Sequence, residues 1–152
     1  MIKLLDLQDE CIAKEVLDLE EISYRIEAEL IGFHDIPPLN DSIASLKECD
    51  ETFYGYFVDD RLAGIISYKL KDRCLNIYRV AVHPDFFRMG IGQAMLCYIE
   101  EHNNGIECIL VSTGTNNIPA RNLYTKCGFR AVYTVEIQPG ISITSFEKEL
   151  NS

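Results

Sequence analysis

The stretch Arg88-Met89-Gly90-Ile91-Gly92-Gln93 is the part of the chain best suited to hold a charged ligand. It joins an apolar run that ends at Val82 to a helical pattern that opens at Ile91. The first N–H groups of a helix have no partner inside it and carry the positive end of its dipole. Two glycines let an anion come close to the backbone, so the loop predicts a phosphate or pyrophosphate site. It reads G-x-G-x-x-M, with Met95 in place of the third glycine of the dinucleotide fingerprint, and no G-x-x-x-x-G-K-[ST] occurs. A tight turn without a ligand would use the same glycines. Cys11, Cys49, Cys74, Cys97, Cys108 and Cys127 form no C-x-x-C pair, and no Cys/His group has zinc spacing. Most of them lie among apolar neighbours, as small core residues would, with neither a disulfide framework nor a metal site expected.

The elements that position this loop must come from one domain, residues 1–152. The chain is 47% hydrophobic and 25% charged, which excludes disorder and allows a core without staples. The net charge of −10 lies almost wholly in residues 1–70, while residues 71–130 carry +2 and residues 131–152 carry −2. An acidic chain repels phosphate backbones, so nucleic acid is excluded as a partner. The mildly basic middle suits an anionic ligand, and the acidic part suits a cationic one. No apolar run is long enough to span a membrane. Met1-Ile2-Lys3-Leu4-Leu5-Asp6 meets an acid too early for a signal peptide, so a cytoplasmic protein is expected.

Ile12, Val16, Leu19, Ile22, Ile26 and Leu30 follow at intervals of 4, 3, 3, 4 and 4, one face of a helix. Gly32–Asn40, with Pro37-Pro38, reads as a loop, and Asp41 can cap a short helix through Leu46. Thr52–Val58, Leu62–Leu70 and Leu75–Val82 are β-rich runs joined by short turns, an antiparallel meander. In the third run Leu75 and Ile77 share one phase of the two-residue period, and Val80 and Val82 share the other. One residue too many lies between them, which predicts a β-bulge at Tyr78-Arg79. His83-Pro84-Asp85 ends that strand, and a helix over Ile91–His102 is closed by Asn103-Asn104-Gly105. Ile106–Val111 reads as a buried strand, parallel to Leu75–Val82 because a helix joins them. Asn117 and Pro119 open a short helix that Gly128 stops, and Phe129–Ile137 with Ile141–Leu150 form a closing hairpin. The predicted order is β-α-α-β-β-β-α-β-α-β-β, an α/β (α+β mixed sheet) fold with helices on both faces.

Val80-Ala81-Val82-His83-Pro84-Asp85-Phe86-Phe87-Arg88-Met89-Gly90-Ile91-Gly92 resembles motif A of the GNAT superfamily of acyl-CoA-dependent N-acyltransferases. Asn117-Ile118-Pro119-Ala120-Arg121-Asn122-Leu123-Tyr124-Thr125-Lys126-Cys127-Gly128-Phe129 resembles its motif B, N-x-x-A-x-x-L-Y-x-K-x-G-F. The resemblance implies the acyl-CoA N-acyltransferase fold, in which splayed central strands receive acetyl-CoA as cosubstrate. Free main-chain groups of Val80, Ala81 and Val82 would bind the pantetheine. The loop Arg88, Met89, Gly90, Ile91, Gly92 and Gln93 would cradle the pyrophosphate. Asn117 would hold the pantetheine arm, and Tyr124 would act catalytically by pointing its hydroxyl at the sulfur. Motif A departs from the family at Phe87, where Gln or Arg is usual; Arg88 stands one place later.

The implied reaction is acetyl transfer to a primary amine. A lysine-like amine is free in only about one molecule in 2,500 at pH 7, a handicap of roughly 4.6 kcal/mol. A base or a water chain must take the proton. His34, Asp35 and Glu136 lie on segments that border the acceptor in this fold, and a water relay is the alternative; Ser112 stands where some relatives carry a glutamate. The acidic residues 1–70 predict a cationic small molecule or peptidyl amine as acceptor, with Tyr24, Phe33 and His34 as an aromatic wall. An acyl-CoA-binding sensor or interaction module with little turnover is the competing reading. Either a monomer or a homodimer fits.

Overall fold

The computed structural model describes residues 1–32 and 41–150. The loop expected over Gly32–Asn40, with Phe33, His34 and Asp35, lies outside the described residues beyond Gly32. Strand β1 (Ile2–Leu5) leads into α1 (Glu10–Ile31), which starts where the Asp9 carboxylate accepts from the Cys11 N–H at 2.9 Å. Helix α2 (Ile43–Glu48) follows, then β2 (Thr52–Val58), β3 (Arg61–Lys71) and β4 (Cys74–Val82). After a 3₁₀ turn at Pro84–Phe86 come α3 (Ile91–Glu101), β5 (Cys108–Gly114), α4 (Ile118–Lys126), β6 (Arg130–Gln138) and β7 (Ile141–Glu149).

The seven strands lie in the order β1-β2-β3-β4-β5-β7-β6. Every neighbouring pair is antiparallel except β4 and β5, which are joined through α3 and run parallel. That parallel pair is short. It comprises Cys74↔Cys108, Leu75↔Ile109 and Asn76↔Leu110. Beyond Asn76, β4 stays with β3 as far as Val82↔Gly64, and β5 stays with β7 as far as Gly114↔Ile143. Each central strand therefore keeps one partner and opens toward the other, giving the splayed pair that the sequence resemblance implies. The bulge predicted from phase is present: Arg79 faces Ser67 and Ile77 faces Tyr68, leaving Tyr78 as the extra residue.

Ile65 and Ile66 are successive residues of β3, so their side chains leave opposite faces of the sheet. One core, on the Ile66 face, gathers Leu75, Ile91, Met95, Ile99, Tyr124 and Phe146 with α3 and α4. The other, on the Ile65 face, gathers Val16, Leu19, Leu46 and Phe53 with α1 and α2. Helices thus cover both faces. No described helix is long and apolar enough to cross a membrane.

Five sequence expectations change. The face of α1 that is buried runs through Ala13, Val16, Leu19, Glu20, Tyr24, Ala28 and Ile31, while Ile22 and Leu30 are exposed. The helix is rotated because Glu20 reaches a cation beneath it. Asp41 does not cap α2; Ser42 does, in a reciprocal box with Ser45, and Asp41 is drawn to that same cation. Strand β5 starts at Cys108 rather than Ile106 and runs on to Gly114, because β7 supplies partners that far. Cys74 and Cys108 are joined by a disulfide at the closed end of the splayed pair, where the register sets them opposite each other. Cys11 and Cys97 are exposed rather than core residues.

Candidate active site

A cavity of about 610 Å³ lies between α1, the end of β4 and the first turns of α3 and α4, and ends at the glycine loop. Helix α3 begins at Gly90, whose φ of 74° is left-handed, and no side chain caps its first amides. Helix amides left uncapped in this way are suited to an anion. Arg88, beside them, adopts φ 68°, a region that costs a residue with a Cβ about 1 kcal/mol or more. The two glycines do different work. A Cβ at Gly90 would meet nothing within 4 Å, so this residue is needed for its backbone angle; a Cβ at Gly92 would lie 2.9 Å from Leu123 Cδ2, so this residue lets α4 approach α3.

Of the residues that the resemblance nominates, Val80, Val82, Arg88, Gly90, Ile91, Gly92, Gln93, Asn117 and Tyr124 line this cavity. Ala81 and Met89 do not. The His83 N–H donates to the Ala63 carbonyl at 2.8 Å, so by alternation Ala81 also turns its backbone to β3, and its side chain sits in the opposite core. Val80 and Val82 turn theirs toward the gap. The Tyr24 hydroxyl donates to the Val80 carbonyl at 3.4 Å. Met89 is exposed. Ile26 and Leu30, read from the sequence as core, border this cavity instead.

A second cavity, of about 560 Å³, lies on the other side of the junction. Tyr24, Glu27, Val80 and Tyr124 line both. Tyr124 is 3% exposed and packs against Phe129 and Phe146, with ring centroids 5.7 and 5.6 Å away. Burial, with a smaller contribution from the Glu27 charge, pushes its hydroxyl well above the ordinary range, so it stays protonated and keeps an O–H to donate. Asn117 caps α4 by accepting from the Ala120 N–H at 3.2 Å, and its amide donates to Glu27 Oε1 at 2.7 Å and to Thr113 Oγ1 at 3.3 Å. Thr113 donates to the same Glu27 oxygen at 3.2 Å.

The second cavity is lined by the acids Glu27, Asp41 and Glu51 and by the cations Lys69 and Arg79. The Arg79 guanidinium, just past the bulge, is held by Glu20 at 2.8 and 3.0 Å, by Glu51 at 2.9 and 3.3 Å, and by Asp41. It also lies over the Phe53 ring at 5.3 Å. Ser67 donates to Glu51 at 2.6 Å. Three carboxylates thus surround one cation, and Asp41 and Glu51 reach the cavity wall. Ser112 lines this cavity too, its hydroxyl paired with that of Ser145 at 2.8 Å. Glu136 is exposed on the edge strand β6 and lines neither cavity; His34 and Asp35 lie outside the described residues. The sequence reading missed Glu27, Glu20, Glu51 and Thr113. A signal existed: Glu20, Tyr24, Glu27 and Ile31 recur at intervals of 4, 3 and 4, a single helix face that carries two acids.

A splayed strand pair, the uncapped amides that open α3 and a buried tyrosine thus border the same pair of cavities. The model of the Acetyltransferase (GNAT) family matches residues 13–129. The chain belongs to that family. It is 40% identical over 146 residues to UPF0157 protein YqkA of Bacillus subtilis (strain 168), covering 96% of this chain but 43% of that protein. The chain thus spans under half the length of that relative. It is 26% identical over 147 residues to a streptothricin acetyltransferase of Escherichia coli, covering 91% of this chain and 83% of that protein. The fold matches that of the PaiA N-acetyltransferase of Thermoplasma acidophilum, solved in complex with coenzyme A, at a TM-score of 0.75 and 19% identity over 99% of this chain and 98% of that one.

Alanine at Gly90 is expected to cost about 1–2 kcal/mol of stability, since its Cβ disfavours a left-handed angle. Relief of that strain would move the loop, so coenzyme A affinity should fall as well; thermal melts and calorimetry read the two effects separately.

Proposed function

We propose that this protein transfers the acetyl group of acetyl-CoA to a primary amine that carries positive charge, a cationic small molecule or a peptidyl amine. The observation that supports this reading best is the shared wall of two cavities. One ends in free helix amides and Arg88, suited to a diphosphate; the other presents Asp41 and Glu51, suited to a cation. Tyr24, Glu27, Val80 and Tyr124 stand where a thioester from one side would meet an amine from the other. The likeness to a streptothricin acetyltransferase supports acetyl transfer.

In this reading Val80 and Val82 bind the pantetheine through their main chain, and the Arg88–Gln93 loop binds the diphosphate. Acetyl-CoA supplies an acyl group activated by a thiolate leaving group. The backbone near Val82 faces the acyl oxygen as a donor. Tyr124, neutral and buried, donates a hydrogen bond to the sulfur as the C–S bond breaks. Asn117 acts through its cap on α4 and its bond to Glu27, holding the helix that carries Tyr124.

Calorimetry with coenzyme A, followed by thiol release from acetyl-CoA with a panel of amines, tests the reading. Binding together with faster turnover of cationic than of acidic acceptors is expected. Binding without turnover of any amine would leave the sensor reading standing instead, and faster turnover of acidic acceptors would overturn the acceptor class.

A further inference from the structure

The proposed reaction needs a proton acceptor for the amine, and the carboxylates that line the acceptor cavity are not equivalent. Asp41 and Glu51 are both already engaged by the Arg79 guanidinium. Glu27 has no cationic partner among the described residues. It projects from α1 to the junction and, among the described residues, is the one carboxylate that lines both cavities. Its Oε1 is fixed by two donors, Asn117 from α4 and Thr113 from β5. Among the described residues no donor meets Oε2. A carboxylate with one oxygen anchored and the other free at the meeting point of two substrates has the geometry of a general base.

We infer that Glu27 is the general base, taking a proton from the acceptor ammonium through its free carboxylate oxygen. This rests on the proposed acetyl transfer. The ammonium gives one proton to Glu27 and becomes a neutral amine. The nitrogen lone pair forms the C–N bond with the thioester carbonyl carbon, and the C–S bond breaks with its electron pair on sulfur. The thiolate gains a proton, the Tyr124 hydroxyl donating to it, and the second nitrogen proton restores that hydroxyl. Ammonium and thioester give amide, thiol and one proton, which Glu27 passes to water.

The surroundings suit the role. Burial raises the Glu27 carboxyl above its ordinary range, partly offset by the Asn117 and Thr113 hydrogen bonds, and a stronger base results. Tyr24 on the same helix and Tyr124 on α4 face it as neutral hydroxyls. Across the acceptor cavity stand Asp41, Glu51, Lys69 and Arg79. The free carboxylate and the protonated phenol thus flank one junction, with their proton affinities set apart for opposite tasks.

Glu27→Gln keeps an oxygen for Asn117 and Thr113 and removes the proton acceptor. Its turnover of an amine that the wild type acetylates is expected to fall by about a hundred-fold or more at pH 7. Coenzyme A affinity should change by less than about two-fold, because E27Q preserves the bonds that position α4. The variant should regain rate as pH rises toward the amine's own pKa. In the wild type, kcat/KM should fall on the acid side with a midpoint above the ordinary carboxylate range. Thr113→Val, which removes one donor to the charged form, should move that midpoint to higher pH. E27Q turning over within about three-fold of wild type, with the same acid limb, would overturn the assignment alone. Wild-type protein that binds coenzyme A and acetylates no amine would overturn the proposed reaction, and the base with it. If E27Q fails to fold, the wild-type and T113V profiles decide: a limb that T113V does not move overturns the assignment.

Discussion

Replacing Arg79 by methionine is expected to destabilise the fold by about 3–5 kcal/mol, because it strands carboxylates that were buried around a guanidinium. Glu20 is fully buried, and the Asp41 and Glu51 side chains are 14% and 11% exposed. Arg79 satisfies all three with the planar fork of one side chain, and lysine, a point charge with three donors, cannot reproduce it. Arg79→Lys should therefore recover only part of the loss. The cost also depends on pH. Burial is the main cause that pushes the Glu20 carboxyl up to about 8 from 4.5; the Arg79 charge opposes it and the Asp41 charge adds to it. A raised carboxyl holds its proton in the folded state after the unfolded chain has released it. Between pH 4.5 and about 8 the native state thus binds more protons, and stability falls as pH rises. Urea titrations at pH 5 and pH 8 are expected to show the wild type losing on the order of a few kcal/mol, Glu20→Gln losing much less, and R79M doing worse at pH 8 than at pH 5. An R79M protein as stable as wild type at both values would mean that the cluster contributes nothing net.

Tyr124→Phe should lower kcat for acetyl transfer by about a hundred-fold while leaving coenzyme A affinity within about two-fold. Phenylalanine keeps the ring between Phe129 and Phe146, so the packing of α4 survives. What is lost is one buried donor where the two cavities meet. Because burial holds the hydroxyl above its ordinary range, the wild type should show no basic limb near the usual tyrosine value. Unchanged kcat in Y124F would remove the tyrosine from the reaction. A proportional loss of kcat and coenzyme A binding would assign it to binding rather than to transfer.

Local rules carried much of the reading. The glycine loop, the cap at Asn117, the strand meander and the bulge at Tyr78 follow from turn chemistry, capping and a two-residue phase, each decided within a few residues. What a carboxylate does depends on what lies across the sheet from it. Glu20 and Glu27 sit on a helix face whose spacing looks apolar, and their opposite uses come from distant partners: Arg79, 59 residues away, for Glu20, and Asn117, 90 residues away, for Glu27. The same holds for Asp41, a natural cap by sequence that an ion pair draws off, and for Cys74 and Cys108, which only the three-residue parallel register brings together. By itself the sequence determined the fold family and the glycine turn that opens α3, because backbone angles and helix ends are local properties. Only the tertiary structure decided which acid is buried against a guanidinium and which stands at the junction without a cation among the described residues, because burial and pairing are properties of the assembled sheet.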